Sequence, residues 1–290
     1  MNQLSKWMGR AALVAGLGFA TAAHATWTFK GSGTTASNGD PLAKTSYTPD
    51  AGFSTDPSLT ISGLYAQNGA GNAGFASGAS WAAQALTYYN PAGLGMSSDG
   101  NTAPNHAIDN NGNTEGLLLS FGSSVVLSSI GIGYLSGDAD VSVFRYTGAS
   151  APAALPGSSV AGFLTDALGS ANSGWDLVGN YANMVQDTTS PYNLVNAGNK
   201  GSSWWLITAY NTAYGGASAS LTQGNDYFKI YAVAGTKCTA GGTACGTPNT
   251  PTGGNVPEPG SLGLVLAALA GTWAFRRTRV GVVVPSLAAA

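Results

Sequence analysis

Between Leu117 and Tyr146, apolar side chains recur at every second position or in short runs broken by glycine and serine. This pattern restricts the middle of the chain to β-structure. Ile130, Ile132 and Tyr134 alternate with small residues, and Val141, Val143 and Arg145 alternate with Ser142, Phe144 and Tyr146. Leu117 to Phe121 and Val125 to Leu127 are separated by Gly122, Ser123 and Ser124, which predicts a hairpin. Further strands are expected at Trp175 to Val178, Ser203 to Tyr210 and Asp226 to Ala234. Only Trp81 to Tyr88 and Ala161 to Leu168 read as helical, the second with Ser158 or Ser159 as its cap. Short strands spaced by turn residues predict a mainly β fold, an antiparallel β-sandwich of jelly-roll type with one or two short helices. There is no repeat at solenoid or propeller spacing.

Charge narrows the function classes. Charged residues make up 8% of the 290, and 42 are glycine. Between residues 26 and 256 six basic side chains (Lys30, Lys44, Arg145, Lys200, Lys229, Lys237) stand against eleven Asp and Glu115. Such a balance offers no basic patch for nucleic acid or an anionic bilayer. Hydroxyls and amides solvate the surface instead, which suits an extracellular β-rich domain.

The two ends read as addresses. Lys6 and Arg10 precede an apolar run from Ala11 to Ala23, and Ala23-His24-Ala25 supplies small residues at the positions signal peptidase requires. Residues 1–25 are therefore expected to be a signal peptide, cut after Ala25. At the other end, Pro257-Glu258-Pro259 precedes an apolar stretch from Leu262 to Phe275 and then Arg276, Arg277 and Arg279. The prolines hold a strip extended, the apolar stretch is expected to cross the membrane as a single helix, and the arginines are expected to stay inside.

That order resembles the PEP-CTERM sorting signal of Gram-negative bacteria. The resemblance implies recognition by an exosortase and delivery to the cell surface or an exopolysaccharide matrix, with transient inner-membrane anchoring through the C-terminal helix. One departure is the apolar extension Val280 to Ala290 beyond the arginines. The central portion also resembles one group of exosortase-dependent surface proteins, through Pro104 to Asn110, Gly137 to Gly148, Trp175 to Val178 and Trp204 to Ile207. No reaction is implied by that second likeness. The expected organisation is a signal peptide (1–25), a loop-rich segment (26–58), a β-sandwich domain (59–234), a disulfide loop and Gly/Thr/Pro linker (235–255), the sorting signal (256–279) and the extension (280–290).

Chemistry-bearing residues are few. Cys238 and Cys245, in an exported chain, are expected to form a local disulfide. Asp109, Asn111, Asn113 and Glu115 place oxygens at alternate positions before a strand, so the loop is a candidate calcium site; the same residues also read as an Asn-Gly turn. Asp138 and Asp140 share one face at a strand entrance, where like charges need either solvent or a cation. Once the signal peptide is removed, His106 is the one histidine left for a hydrolytic triad, and no Gly-x-Ser-x-Gly elbow accompanies it. Cys/His zinc sites lack ligands. Exposed aromatic rings stack on sugar faces, and Trp204 and Trp205, adjacent on a strand, face opposite sides; core is the competing role for both. The expectation is a non-enzymatic exported surface or matrix protein associated with exopolysaccharide or biofilm. The alternative is a carbohydrate-binding module with calcium as a candidate cofactor.

Overall fold

The computed structural model describes residues 24–29, 40–42, 45–52, 55–98, 100, 106–169, 174–189, 192–216, 218–238 and 245. All of them belong to the first of two compact units, Met1–Pro248 and Asn249–Ala290. In chain order the strands are β1 (Ala25–Thr28), β2 (Asp40–Pro41), β3 (Ser46–Tyr47), β4 (Leu59–Gln67), β5 (Ala82–Gln84), β6 (Thr87–Tyr89), β7 (Gly93–Gly95), β8 (Ile108–Asp109), β9 (Asn113–Leu135) and β10 (Val141–Tyr146). One α-helix, α1 (Val160–Ala167), precedes β11 (Trp175–Tyr181), β12 (Asn193–Leu194), β13 (Gly201–Ala209) and β14 (Tyr227–Lys237).

The strands form one sheet in the order β11-β10-β13-β9-β14-β7-β6-β2, with β4 and β12 also on β9, β3 and β5 on β4, and β1 and β8 on β14. The organising element is β9, 23 residues long. Along one edge it pairs with β4 from Asn113 to Phe121 and then with β14 from Val125 to Leu135. Its other edge pairs with β13 and then with β12. Two expectations are thereby corrected. Residues 122–124 are not a hairpin turn: the strand stays extended through them, and Gly122 N donates to Ser58 O at 2.9 Å. Nor is the domain a sandwich of two separate sheets, because β9 is continuous through both regions and joins them into one.

The main core draws side chains from both regions: Leu117, Leu119 and Phe121 from the first half of β9, and Leu127, Ile130 and Ile132 from the second. The buried positions change from odd to even along the strand, which a strict period of two forbids. Bulges absorb the change, with register slips along the β9–β14 pairing, one of them between Ala234 and Gly235. A Cβ at Gly235 would lie 2.5 Å from Val126 O, so only glycine fits that approach. On β10 and β13 alternate residues serve two cores. Val143 and Ile207 join the main one, while Phe144 and Leu206 face a second cluster covered by α1.

The helix forms where the sequence predicts it. Ser159 Oγ accepts from Gly162 N at 3.4 Å as N-cap, and Val160, Phe163 and Ala167 supply the buried stripe. Burying a ring such as Phe163 contributes roughly 2 kcal/mol. Trp81 to Tyr88 is not helical but forms β5 and β6, because its large side chains serve different cores. Trp81 meets Phe163 edge-on at 5.5 Å in the second cluster, whereas Leu86 and Tyr88 lie in the first. The segment ahead of β4 contributes to the core as well: β1 pairs with β14, and Trp27 is fully buried against Phe121.

Beyond β14, Cys238 and Cys245 form a disulfide with their Cα atoms 5.5 Å apart. The expected transmembrane helix, and the inner-membrane anchoring drawn from it, are corrected as far as the described residues reach. Among the described residues no helix is long and apolar enough to cross a membrane. The eight residues of α1 span roughly 12 Å, against about 30 Å of hydrocarbon. Residues 262–275, where that helix was expected, lie outside the described residues.

Candidate metal-binding site

Three carboxylates meet where β9 turns into β10 and the chain enters β14. Gly137 makes the turn with φ +75°, and a Cβ there would lie 2.7 Å from Asn225 O. Asp138 and Asp226 then form an isolated parallel bridge, with Asp138 N donating to Asn225 O at 3.1 Å and Tyr227 N to Asp138 O at 3.0 Å. Asp140 and Asp226 are fully buried and Asp138 half-buried. One carboxylate oxygen from each of the three lies within 4.8 Å of the others.

Backbone amides hold the carboxylates in place. Asp140 Oδ1 accepts from Asn183 N at 2.7 Å and Oδ2 from Thr222 N at 2.6 Å. Asp226 Oδ1 accepts from Asp140 N at 2.8 Å, and its Oδ2 accepts from Asn110 Nδ2. Asn110 is itself fully buried; its Oδ1 accepts from Gly224 N at 2.9 Å and its Nδ2 also reaches Tyr210 O at 2.9 Å. Burial raises the Asp140 carboxyl above its ordinary value, against the lowering effect of the two amides. Asp226 is pushed up to about 8, first by burial and further by Asp140 and Asp138. Solvent reaches only the Asp138 side of the repulsion foreseen from its spacing with Asp140, because Asp138 is half-buried and Asp140 fully buried. Arg145 does not resolve it either, since its guanidinium pairs with Asp176 at 2.8 Å, where Lys200 also binds. A hard cation fits this all-oxygen set, and the cluster has the geometry to coordinate a metal ion.

The four residues first singled out for calcium do not converge. Glu115 and Asp109 meet: Glu115 Oε1 accepts from Ser98 N at 2.7 Å and Oε2 from Asp109 N at 3.2 Å. Burial, reinforced by Asp109, raises the Glu115 carboxyl well above its usual range. Asn111, however, lies in the turn before β9 and is occupied elsewhere, its Oδ1 accepting from Asn72 and its Nδ2 donating to Tyr227 OH at 3.0 Å. The Asn113 amide donates to Ser98 Oγ at 2.8 Å. The turn is real, with Asp109 Oδ1 accepting from Asn111 N at 2.9 Å. Sequence reasoning noticed Asp138 and Asp140 but had no signal for Asp226, which lies 86 residues beyond Asp140.

Of the aromatic candidates, Trp205 is fully buried and its indole N–H donates to Ser202 O at 2.9 Å, so it presents no face to a sugar. Trp204 is half-buried against the second cluster. His106 lies 5.9 Å from the Tyr89 ring, and its buried Nδ1 has no hydrogen-bond partner among the described residues. Ala25 is the first residue of β1, opposite Gly235. Ala23, Pro257, Glu258, Pro259, Arg276, Arg277 and Arg279 lie outside the described residues.

Comparison with known proteins adds one match: the PEP-CTERM protein-sorting motif fits residues 255–279. No curated protein and no solved structure matches the chain. The motif supports assignment as an exosortase-dependent surface protein, exported to the cell surface, with an exosortase as its partner.

Proposed function

We propose that the chain is a non-enzymatic surface component that associates with exopolysaccharide after export, and that Asp138, Asp140 and Asp226 hold a calcium ion which stabilises its β-sheet domain. The sorting motif at residues 255–279 carries this reading. The surface supports it: with few charges and many hydroxyls and amides it suits contact with neutral polymer rather than nucleic acid. The non-enzymatic part draws on His106, whose Nδ1 has no orienting partner among the described residues. Calcium is favoured over zinc because the donors are carboxylates with no imidazole or thiolate beside them among the described residues. Signal peptidase is expected to act at Ala25 during export.

Fractionation tests the matrix association. In cells unable to make exopolysaccharide, the protein should move from the matrix fraction to the medium; unchanged retention would refute that part of the reading. Calcium is tested separately on the exported protein by thermal unfolding. EDTA should lower Tm, and added Ca²⁺ should restore it while Mg²⁺ restores it poorly. Identical Tm values with and without EDTA would exclude the ion.

A further inference from the structure

Away from the carboxylates, the surface beside α1 holds a cleft of about 430 Å³, within the size range of small-molecule sites. Its floor is aromatic. Tyr146 and Trp175 lie with ring centroids 5.5 Å apart, and Phe163 packs 5.9 Å from Trp175. Ser158, Ser159 and Asp166 stand among the lining residues. Each polar group has made one internal hydrogen bond and keeps further capacity. Ser159 Oγ accepts from Gly162 N, which leaves its proton to donate. Ser158 Oγ donates to Leu155 O at 2.6 Å and retains acceptor lone pairs. Asp166 Oδ2 accepts from Trp175 N at 2.6 Å, leaving Oδ1 as an acceptor.

Gly162 gives the second indication. It sits in the first turn of α1, where glycine is a poor helix former, and it lines the cleft. No packing demand explains it: a Cβ there would meet nothing nearer than Ser159 Cβ at 3.9 Å. Gly174, by contrast, is dictated by packing, because a Cβ would lie within 2 Å of Asp166 Oδ2. What a side chain at 162 would do is occupy the cleft.

We propose that this cleft binds a ring of a neutral glycan, with one sugar face against Tyr146 and the edge of Trp175 and its hydroxyls on Ser159, Ser158 and Asp166. A mixed donor and acceptor rim suits hydroxyls, which do both, and a carboxylate with no cation on the lining disfavours anionic ligands. The proposal deepens the exopolysaccharide reading and rests on it for biological context.

The test uses the full exported protein and short neutral oligosaccharides of glucose, mannose and galactose, followed by NMR shifts of tryptophan indole signals. At least one sugar should shift the Trp175 signal saturably. Gly162→Leu should weaken that binding at least tenfold while leaving Tm unchanged or higher, and Tyr146→Ala should weaken it as well. Absence of binding to every sugar overturns the cleft, as does equal binding by Gly162→Leu. Saturable binding that Gly162→Leu abolishes, in a protein that stays out of the matrix fraction, upholds the cleft and refutes the matrix reading alone.

Discussion

Two sets of buried carboxylates lie on consecutive stretches of the same framework and resolve their repulsion differently. Asp109 and Glu115 form a pair in which Glu115 binds two backbone amides and burial favours its protonated form. A proton on Glu115 removes the conflict, the usual outcome where two carboxyl groups are close and one is dry. The trio of Asp138, Asp140 and Asp226 is tied to five donors, Ala139 N, Asn183 N, Thr222 N, Asp140 N and Asn110 Nδ2, all of which favour charged oxygens. Hydrogen-bond donors aimed at a carboxylate and burial that penalises its charge pull in opposite directions. A cation satisfies both demands, whereas a proton satisfies only the second. Asn110, next in sequence to Asp109 and bonded to Asp226, joins the two sets.

The largest effect expected from breaking the trio comes from Asp140→Ala. It orphans the Asn183 and Thr222 amides at a buried position, and such losses together cost about 3 kcal/mol. Urea unfolding should show the loss, and the response of Tm to Ca²⁺ should disappear with it. A full calcium response in Asp140→Ala would place the ion elsewhere. Next in size is removal of the ion itself. At a free Ca²⁺ concentration a hundred times Kd the stabilisation is about 2.7 kcal/mol, and chelation should remove it.

The pH profile of the chelated protein sharpens the contrast further. Asp226 and Glu115 have folded-state values raised above their unfolded ones, so the folded state keeps protons that the unfolded state has released. Stability should therefore fall as pH rises from about 4, the unfolded carboxyl range, toward 8, where the folded Asp226 ionises. Without calcium the protein should melt higher at pH 5 than at pH 8. Saturating Ca²⁺ should flatten the share of this slope that belongs to the trio. A chelated protein that is most stable at pH 8 would contradict the assigned burial.

How much of this was legible in the sequence depends on how local each cause is. The strands at Val141, Trp175, Ser203 and Asp226 follow from residues within a few positions, and α1 follows from Ser159 and its apolar stripe. Gly122-Ser123-Ser124 misleads because its composition is that of a turn, whereas its conformation is decided by partners: β4 ends and β14 begins along that edge. The same limit applies to the site. Asp138 and Asp140 are two residues apart and their conflict could be seen, but the residues that bind Asp140, Asn183 on one side and Thr222 and Asp226 on the other, come from two distant stretches of the chain, and Asn110, which binds Asp226, from a third. Gly162 looks like an ordinary small residue until the space above it is known.

The smallest expected effect is the most discriminating between the two carboxylate sets. Glu115→Gln replaces a carboxyl that is already uncharged at pH 7 with a neutral group of nearly the same shape, retaining an oxygen for Ser98 N or Asp109 N. One of those two amides loses its acceptor, so a cost of about 1 kcal/mol is expected at pH 7. The calcium response should survive intact, because Glu115 lies outside the trio. The acid-favouring slope should shrink, since one of the two protons retained on folding is gone. Urea midpoints at pH 5 and pH 8 for Glu115→Gln, with and without Ca²⁺, separate the two ways of burying a carboxylate. If the substitution abolished the calcium response, both sets would belong to a single ion site, and the distinction between proton and cation would fall.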